Sequence, residues 1–199
     1  MTLTDKDRIL FNGDSITDAD RDRNDTHSLS GYTKKIAAAL PGVTCFNRAI
    51  GGDTSAQMLK RFTHDCEDTR PSVLSIFIGI NDTWRRYDSN VRTPSAQFAD
   101  NYRSILNIAR QFTDRIILLE PYIIPADPEK MVFYEDVYEK VLAIRVLARE
   151  YKTVYIPLDG IFAEACVRTP PGVFSEDGIH PTDAGHGLIA AEWLKRCSL

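Results

Sequence analysis

The sequence is poor in the features that mark disulfide-rich, membrane-spanning and nucleic-acid-binding proteins. It has only 4 cysteines in 199 residues, and no two of them have the spacing of a C-x-x-C motif, which favours reduced thiols in the cytoplasm. No run approaches the roughly 20 consecutive apolar residues that span a bilayer, and the first residues contain no apolar signal segment. The formal net charge is only -4, with scattered Lys and Arg, so we expect neither a membrane nor a nucleic-acid partner.

The remaining composition is that of an ordinary globular protein. Hydrophobic residues make up 43% of the chain and charged residues 26%, which is enough to build a sizeable core. The length suits one folding unit, and no linker, repeat or low-complexity stretch interrupts the sequence. We therefore expect a single domain over residues 1–199 and a cytoplasmic location.

Short apolar runs alternate with segments of helical spacing along most of the chain. The runs are rich in branched residues, as expected of strands in a parallel sheet covered on both faces, whereas the segments between them repeat apolar residues every three or four positions. This alternation predicts βα units and an α/β fold. We expect strands at 9–11, 43–46, 73–78, 116–119 and 154–156, and helices at 29–40, 59–66, 98–112, 133–148 and from 182 onward.

The predicted sheet also indicates where a ligand binds. In an open parallel sheet, ligands occupy the crevice beyond the carboxyl ends of the strands. The segments that leave those ends are expected to be loops, and functional residues are expected among them. They cover 12–30, 47–54, 79–89, 120–128 and the residues before the last helix.

A serine follows the first predicted strand directly, in the sequence Gly13-Asp14-Ser15. The G-x-S-x-G elbow of lipases is not matched, because Thr17 stands at the position of the second glycine. By itself, a serine at the end of a strand is more typical of a turn or a helix cap than of a nucleophile. The motif gains weight only from its place at the ligand end of the sheet.

A histidine with a carboxylate three residues ahead of it precedes the last predicted helix, in Asp177-Gly178-Ile179-His180. In a tight turn, the carboxylate can accept the imidazole Nδ1–H and leave Nε2 free to take a proton from a hydroxyl. The alternative is a loop in which Asp177 only binds backbone amides, although Thr182 and Asp183 are better placed to cap the helix. We interpret the other histidines as surface or helix-packing residues, at His27, His64 and His186.

Two further groups can supply hydrogen-bond donors to a developing negative charge on oxygen. Gly51-Gly52 follows the second predicted strand and lets the backbone approach a ligand closely, and Asn81 after the third strand offers a side-chain amide. Each also has an ordinary role, since Gly-Gly is a common turn and asparagine often bonds its own loop. All these segments fall at one end of the predicted sheet, which favours a shared site.

Four blocks of the sequence resemble the signature blocks of the SGNH, or GDSL, hydrolases, in the family's order and over most of the chain. They are Gly13-Asp14-Ser15, Gly52 within residues 47–54, Asn81 within residues 79–82, and Asp177 with His180. The resemblance implies a three-layer α/β/α flavodoxin-like fold with a five-stranded parallel sheet. It also implies that Asp14 is structural and holds its loop through backbone amides.

The resemblance assigns a role to each matching position. Ser15 is implied to be the nucleophile, with His180 as its base and Asp177 as the partner that orients the base. The backbone amide of Ser15, the amide of Gly52 and the side chain of Asn81 are implied to form the oxyanion hole. This chemistry requires no cofactor and no metal.

Residues 78–88 and 183–186 are similar to intracellular SGNH esterases that deacetylate carbohydrates, including acetylxylan esterases. Trp84 and Tyr87 are candidate substrate-binding residues, because aromatic rings can form an apolar wall against a sugar, although packing of a loop is an equal alternative. One departure is Glu176, since xylan-type relatives carry an aromatic residue just before the Asp of the Asp-x-x-His turn.

The sequence thus predicts a serine esterase that hydrolyses small acyl esters, in particular acetyl esters of an oligosaccharide. The alternatives are a thioesterase or lysophospholipase of the same family, which would favour longer acyl chains, and a sugar-binding relative without catalysis. A homo-oligomer also stays open, with residues 120–134 as a candidate subunit contact. A divalent-metal site is a weaker interpretation, and its ligands would be Asp14, Asp53, Asp82, Asp177 and His180.

Overall fold

The computed structural model of the chain describes residues 1–197, so residues 198–199 of the expected domain lie outside it. Five parallel strands form one sheet in the order β2-β1-β3-β4-β5, the arrangement of flavodoxin-like folds. The predicted α/β/α fold with a five-stranded parallel sheet is confirmed. The strands are β1 Arg8–Gly13, β2 Thr44–Asn47, β3 Val73–Phe77, β4 Ile116–Leu119 and β5 Val154–Ile156.

Two inner strands, β3 and β4, explain why the apolar runs are continuous. Every residue of β3 and of β4 is buried, because helices cover both faces of the sheet. All five strands fall within about two residues of the positions expected from the sequence. Continuous runs of branched residues therefore located the sheet without any alternating pattern.

The described part of the chain has eight helices and two 3-10 turns, and six of the helices lie between consecutive strands. The helices are α1 Ser15–Asp18, α2 Gly31–Ala39, α3 Ser55–Thr69, α4 Ile80–Asp88, α5 Ser95–Ala109, α6 Tyr134–Glu150, α7 Leu158–Cys166 and α8 Asp183–Arg196, and the turns are Pro128–Phe133 and Pro171–Val173. Within residues 1–197, no helix combines the length and apolar character needed to cross a bilayer.

The interpretation of residues 79–89 as a loop was wrong, because α4 occupies most of that segment. Three of its four buried residues are polar, namely Asn81, Asp82 and Thr83, so the helix has no apolar stripe that a sequence pattern can reveal. Helix α7 was also missed. It buries only Leu158 and Phe162, and one i, i+4 pair is too little to define a period.

Two apolar cores lie on opposite faces of the sheet. Helices α2 and α8 pack on one face around Tyr32 and Trp193, and the buried indole nitrogen of Trp193 donates to the Ser75 hydroxyl at 3.1 Å. Helices α3, α5 and α6 pack on the other face around Phe62 and Phe98. Burial of each such side chain contributes about 2–3 kcal/mol before the cost of ordering it.

The register of the sheet brings the ends of the first three strands to within two residues of one another. Gly13 at the end of β1 pairs with Phe77 at the end of β3, and Phe11 pairs with Asn47 at the end of β2. The segments that follow these strands therefore leave the sheet side by side. This edge is the one at which the candidate site forms.

Candidate active site

Ser15 is the first residue of the short helix α1, directly after β1. The Asp14 carboxylate caps that helix by accepting the Ile16 amide at 3.1 Å. Gly13 is required for the turn, because a Cβ at this position would collide with the Phe77 carbonyl oxygen of the neighbouring strand. Backbone packing therefore fixes the strand-to-helix turn that holds the Ser15 hydroxyl beyond the sheet.

Asp14 is fully buried beneath this turn. Burial, with a smaller contribution from the charges of Asp82 and Asp53, raises its pKa to about 7 against the opposing hydrogen bond from the Ile16 amide. One oxygen caps the helix, and the other has no hydrogen-bond partner among residues 1–197. Its position fits the structural role implied for it.

A chain of two hydrogen bonds links Ser15, His180 and Asp177. The Ser15 Oγ lies 3.0 Å from His180 Nε2, and His180 Nδ1 lies 2.6 Å from Asp177 Oδ2. Ser15 belongs to α1, and His180 lies in the turn before α8, 165 positions later in the sequence. The structure thus brings together the three residues that the two motifs supplied separately.

Backbone hydrogen bonds hold the turn that carries the Asp177 and His180 side chains. The second carboxylate oxygen of Asp177, Oδ1, accepts the amides of Ile179 and His180 at 2.9 and 2.7 Å. Partial burial raises the pKa of Asp177, but the hydrogen bonds from the His180 ring and these amides outweigh burial and leave the pKa below its ordinary value. Asp177 is therefore ionised at neutral pH.

The cap of helix α8 is a different residue. Thr182 accepts the Gly185 amide at 3.2 Å, as predicted, so Asp177 is not used as the helix cap. Gly178 has a φ of +81°, and a Cβ there would lie 2.7 Å from the Ile124 carbonyl oxygen. The turn accordingly depends on a glycine between the carboxylate and the imidazole.

Gly52 and Asn81 lie next to Ser15, where the sequence placed them. Together with Ser15 and His180 they line a cavity of about 250 Å³. Gly52 has a φ of +87°, a conformation that favours glycine. Asn81 is in the first turn of α4 and only 4% exposed, and its Nδ2 donates to the Asp53 carbonyl at 3.0 Å.

Two buried carboxylates support this arrangement in roles that the sequence analysis did not assign to them. Asp18 accepts the Gly51 amide at 3.1 Å and is held by Arg23. Asp82 accepts both the amide and the hydroxyl of Ser55, at 2.8 and 2.6 Å, and so ties α4 to the start of α3. Neither residue has a distinctive local pattern, because each contact joins segments more than 20 positions apart.

The two predicted aromatic residues have different surroundings. Trp84 is half-buried, lines the cavity with Ser15 and lies 5.9 Å from the His180 ring, measured between ring centroids. Tyr87 stacks on Phe133 with centroids 4.4 Å apart, and its hydroxyl donates to the Val132 carbonyl. Trp84 thus forms part of the cavity wall beside His180, whereas the contacts of Tyr87 are those of loop packing.

The carboxylates considered as metal ligands do not converge. Asp82 is engaged with Ser55, and Asp177 with His180. Within residues 1–197 there is no group of three or more His, Cys, Asp or Glu side chains arranged to hold a metal ion. The site therefore offers the geometry of a hydroxyl, an imidazole and a carboxylate.

Comparison with known proteins finds relatives over almost the whole chain. An acetylxylan esterase of Geobacillus stearothermophilus is 28% identical over 213 residues, covering 98% of this chain and 95% of the relative. The crystal structure of Axe2, an acetylxylan esterase from the same organism, superposes with a TM-score of 0.86 at 27% identity, over 98% of this chain and 96% of the other. A protein solved as a GDSL-like lipase from Parabacteroides merdae gives 0.91 at 31% identity, with the same coverage.

The fold and these similarities define a carboxylic ester hydrolase. The family model that matches the chain covers residues 11–188 and describes GDSL-like lipases and acylhydrolases. The chain therefore belongs to the GDSL-like lipase/acylhydrolase family. The resemblance drawn from its four sequence blocks is confirmed.

Proposed function

We propose that this protein is a serine esterase that removes acetyl groups from carbohydrates through an acyl-enzyme. The observation that carries the proposal is the hydrogen-bonded chain from Ser15 Oγ through the His180 ring to Asp177, with distances of 3.0 and 2.6 Å. A nucleophile, a base and the group that orients the base are thereby in contact. Ser15 is the nucleophile, His180 the base and Asp177 the orienting carboxylate.

The first half of the cycle forms the acyl-enzyme. Asp177 accepts the Nδ1–H of His180, so Nε2 is the unprotonated nitrogen and can take the Ser15 proton. Ser15 Oγ then bonds to the ester carbonyl carbon, whose oxygen becomes negatively charged. The imidazolium formed at this moment is stabilised by the ionised Asp177 beside it.

Three donors are available to the negatively charged oxygen. They are the backbone amides of Ser15 and Gly52 and the side-chain amide of Asn81. One hydrogen of the Asn81 amide is held by the Asp53 carbonyl, which orients the group and leaves its second hydrogen for the substrate. A donor fixed before the reaction needs no reorganisation when the charge develops.

The second half of the cycle releases both products. His180 gives its proton to the alcohol oxygen as the carbon–oxygen bond of the ester breaks, and the alcohol leaves. The same imidazole then takes a proton from water, whose oxygen attacks the acyl-enzyme. Collapse of this second intermediate returns the proton to Ser15 and frees the carboxylic acid.

The preference for acetyl esters of carbohydrates is drawn from two observations. Two relatives with nearly complete coverage are acetylxylan esterases, and the cavity that contains the oxyanion donors is small, about 250 Å³, with Trp84 as one wall. Glu176, beside Asp177, is exposed and stands where xylan-type relatives carry an aromatic residue. The proposal therefore names acetylated carbohydrates as a class and no particular polysaccharide.

The test compares p-nitrophenyl acetate with p-nitrophenyl octanoate, using the wild type and Ser15→Ala. We expect a higher kcat/KM on acetate in the wild type, and a loss of several orders of magnitude in a folded Ser15→Ala protein, because the variant has no nucleophile. Equal or faster hydrolysis of octanoate would favour the thioesterase or lysophospholipase alternative. An inactive wild type would favour the sugar-binding one, and an active Ser15→Ala protein would refute the mechanism.

A further inference from the structure

In the described part of the chain, two cavities are lined by both Ser15 and His180, and a third, of about 480 Å³, reaches His180 from the side of Glu176 and Asp177. The smaller of the first two, of about 250 Å³, is lined by Ser15, Gly52, Asn81, Trp84, Arg85, Asp88 and His180. The larger is a groove of about 520 Å³ on the other side of the pair. We call them the acyl cavity and the polar groove, and the groove is lined by Ser15, Ala19, Asp20, Ser30, Gly31, His180, Pro181, Asp183 and His186.

The oxyanion donors determine which substrate group each cavity can hold. Gly52 and Asn81 line the acyl cavity and are absent from the lining of the groove, so the carbonyl oxygen of a bound ester lies on the acyl-cavity side. The alcohol oxygen must lie near His180 Nε2, because that nitrogen protonates it. The groove continues from His180 along the residues that follow it, Pro181 and Asp183.

We infer that the polar groove is the subsite for the carbohydrate alcohol, and that the acyl cavity holds only the acetyl group. This assignment rests on the function proposed above. A two-carbon acyl group needs little of the 250 Å³, whereas a sugar ring and its neighbours need the larger opening of about 520 Å³. The acyl and alcohol parts of the ester would thus be selected by different residues.

The polar lining of the groove suits sugar hydroxyl groups. The Ser30 side chain makes no capping bond to α2, so its hydroxyl is available to a ligand. His186 Nδ1 accepts the Tyr32 amide at 3.1 Å, which leaves Nε2 as an N–H donor in the neutral ring. Burial, together with the charge of Lys35, lowers the pKa of His186 to about 4, so the ring stays neutral at ordinary pH. The His186 Nε2–H, the Ser30 hydroxyl and the Asp20 carboxylate together complement the mixed donors and acceptors of a sugar.

A bulky side chain at Ser30 tests the groove. Ser30→Trp removes no capping bond, and Ser104→Trp is its matched control, because Ser104 is exposed on α5 across the sheet. The readout is an alcohol ratio, namely kcat/KM for methyl tri-O-acetyl-xyloside divided by kcat/KM for ethyl acetate. We expect Ser30→Trp to lower this ratio by about tenfold or more and Ser104→Trp to keep it within about twofold.

Trp84→Ala tests the opposite side of the nucleophile and does not depend on the folding of the Ser30 variant. It enlarges the acyl cavity, so we expect the ratio of octanoate to acetate hydrolysis to rise by about fivefold or more, with a smaller change in the alcohol ratio. The assignment is overturned if Ser30→Trp behaves like Ser104→Trp, or if Trp84→Ala lowers the alcohol ratio and leaves the acyl ratio unchanged. If the wild type hydrolyses none of these esters, the proposed function fails first, and the assignment fails with it.

Discussion

Replacement of Asn81 by alanine separates a catalytic amide from a structural one. Asn81 is almost completely buried, and its Nδ2 donates to the Asp53 carbonyl at 3.0 Å. The substitution removes that hydrogen bond and also the hydrogen proposed to bind the substrate oxygen. Among the three proposed donors, only this one belongs to a side chain and can be deleted without changing the backbone.

The two losses differ in size and in the quantity that reports them. Loss of an oxyanion donor costs about 100-fold to 1,000-fold in kcat, or roughly 3–4 kcal/mol, with little change in KM. Loss of the bond to the Asp53 carbonyl costs about 1–2 kcal/mol of unfolding free energy. For a chain of this length that corresponds to a decrease in Tm of about 2–8 °C.

Asn101→Ala is the matched control for this experiment. Asn101 Nδ2 donates to the Ser55 hydroxyl at 3.0 Å in a partly buried position outside the site, so its loss should lower Tm while kcat stays within about threefold. Steady-state kinetics and thermal melting are measured on the same preparations of both variants. If the folded fraction of Asn81→Ala keeps a near-normal kcat, Asn81 only holds its loop and the proposed oxyanion hole is wrong.

Three further predictions address the nucleophile, the turn and acid stability. A serine-directed phosphonate should label Ser15 alone, by peptide mass analysis, and more slowly in acid because a protonated His180 cannot accept the serine proton; labelling of another serine would redirect the assignment. Gly178→Ala should lower Tm by about 2–12 °C and reduce kcat, since φ is +81° there and a strained turn costs about 1–3 kcal/mol. A Tm like that of the wild type would contradict this. Burial raises the pKa of Asp7, but hydrogen bonds from Arg115 and other donors lower it to about 2 from 3.8, so the stabilisation is present above about pH 4 and is lost as the pH falls towards 2. In urea denaturation, Asp7→Asn should therefore lower the free energy of unfolding by on the order of 2 kcal/mol at pH 7 and by far less near pH 2. A decrease that does not depend on pH would exclude the ionised carboxylate as its source.

The sequence by itself determined the sheet and the chemistry-bearing segments. The apolar runs marked all five strands, because strands of a sheet that helices cover on both faces are apolar along most of their length. The turn residues around Ser15 and His180 marked the places where the chain leaves the sheet, and their resemblance to known blocks indicated partners 165 positions apart. Thr182 was also predicted correctly as a helix cap, since capping depends on neighbouring residues.

Only the tertiary structure decided what surrounds those residues. Helix α4 escaped prediction because it buries mainly polar side chains, and the bond from Asp82 to Ser55 that anchors it has no local signal. The same holds for the contact between Asp18 and the Gly51 amide. The separation of the acyl cavity from the polar groove likewise depends on how α1, α4 and α8 pack. Periodicity and turn chemistry record interactions between near neighbours, whereas the walls of a site are formed by side chains from distant segments.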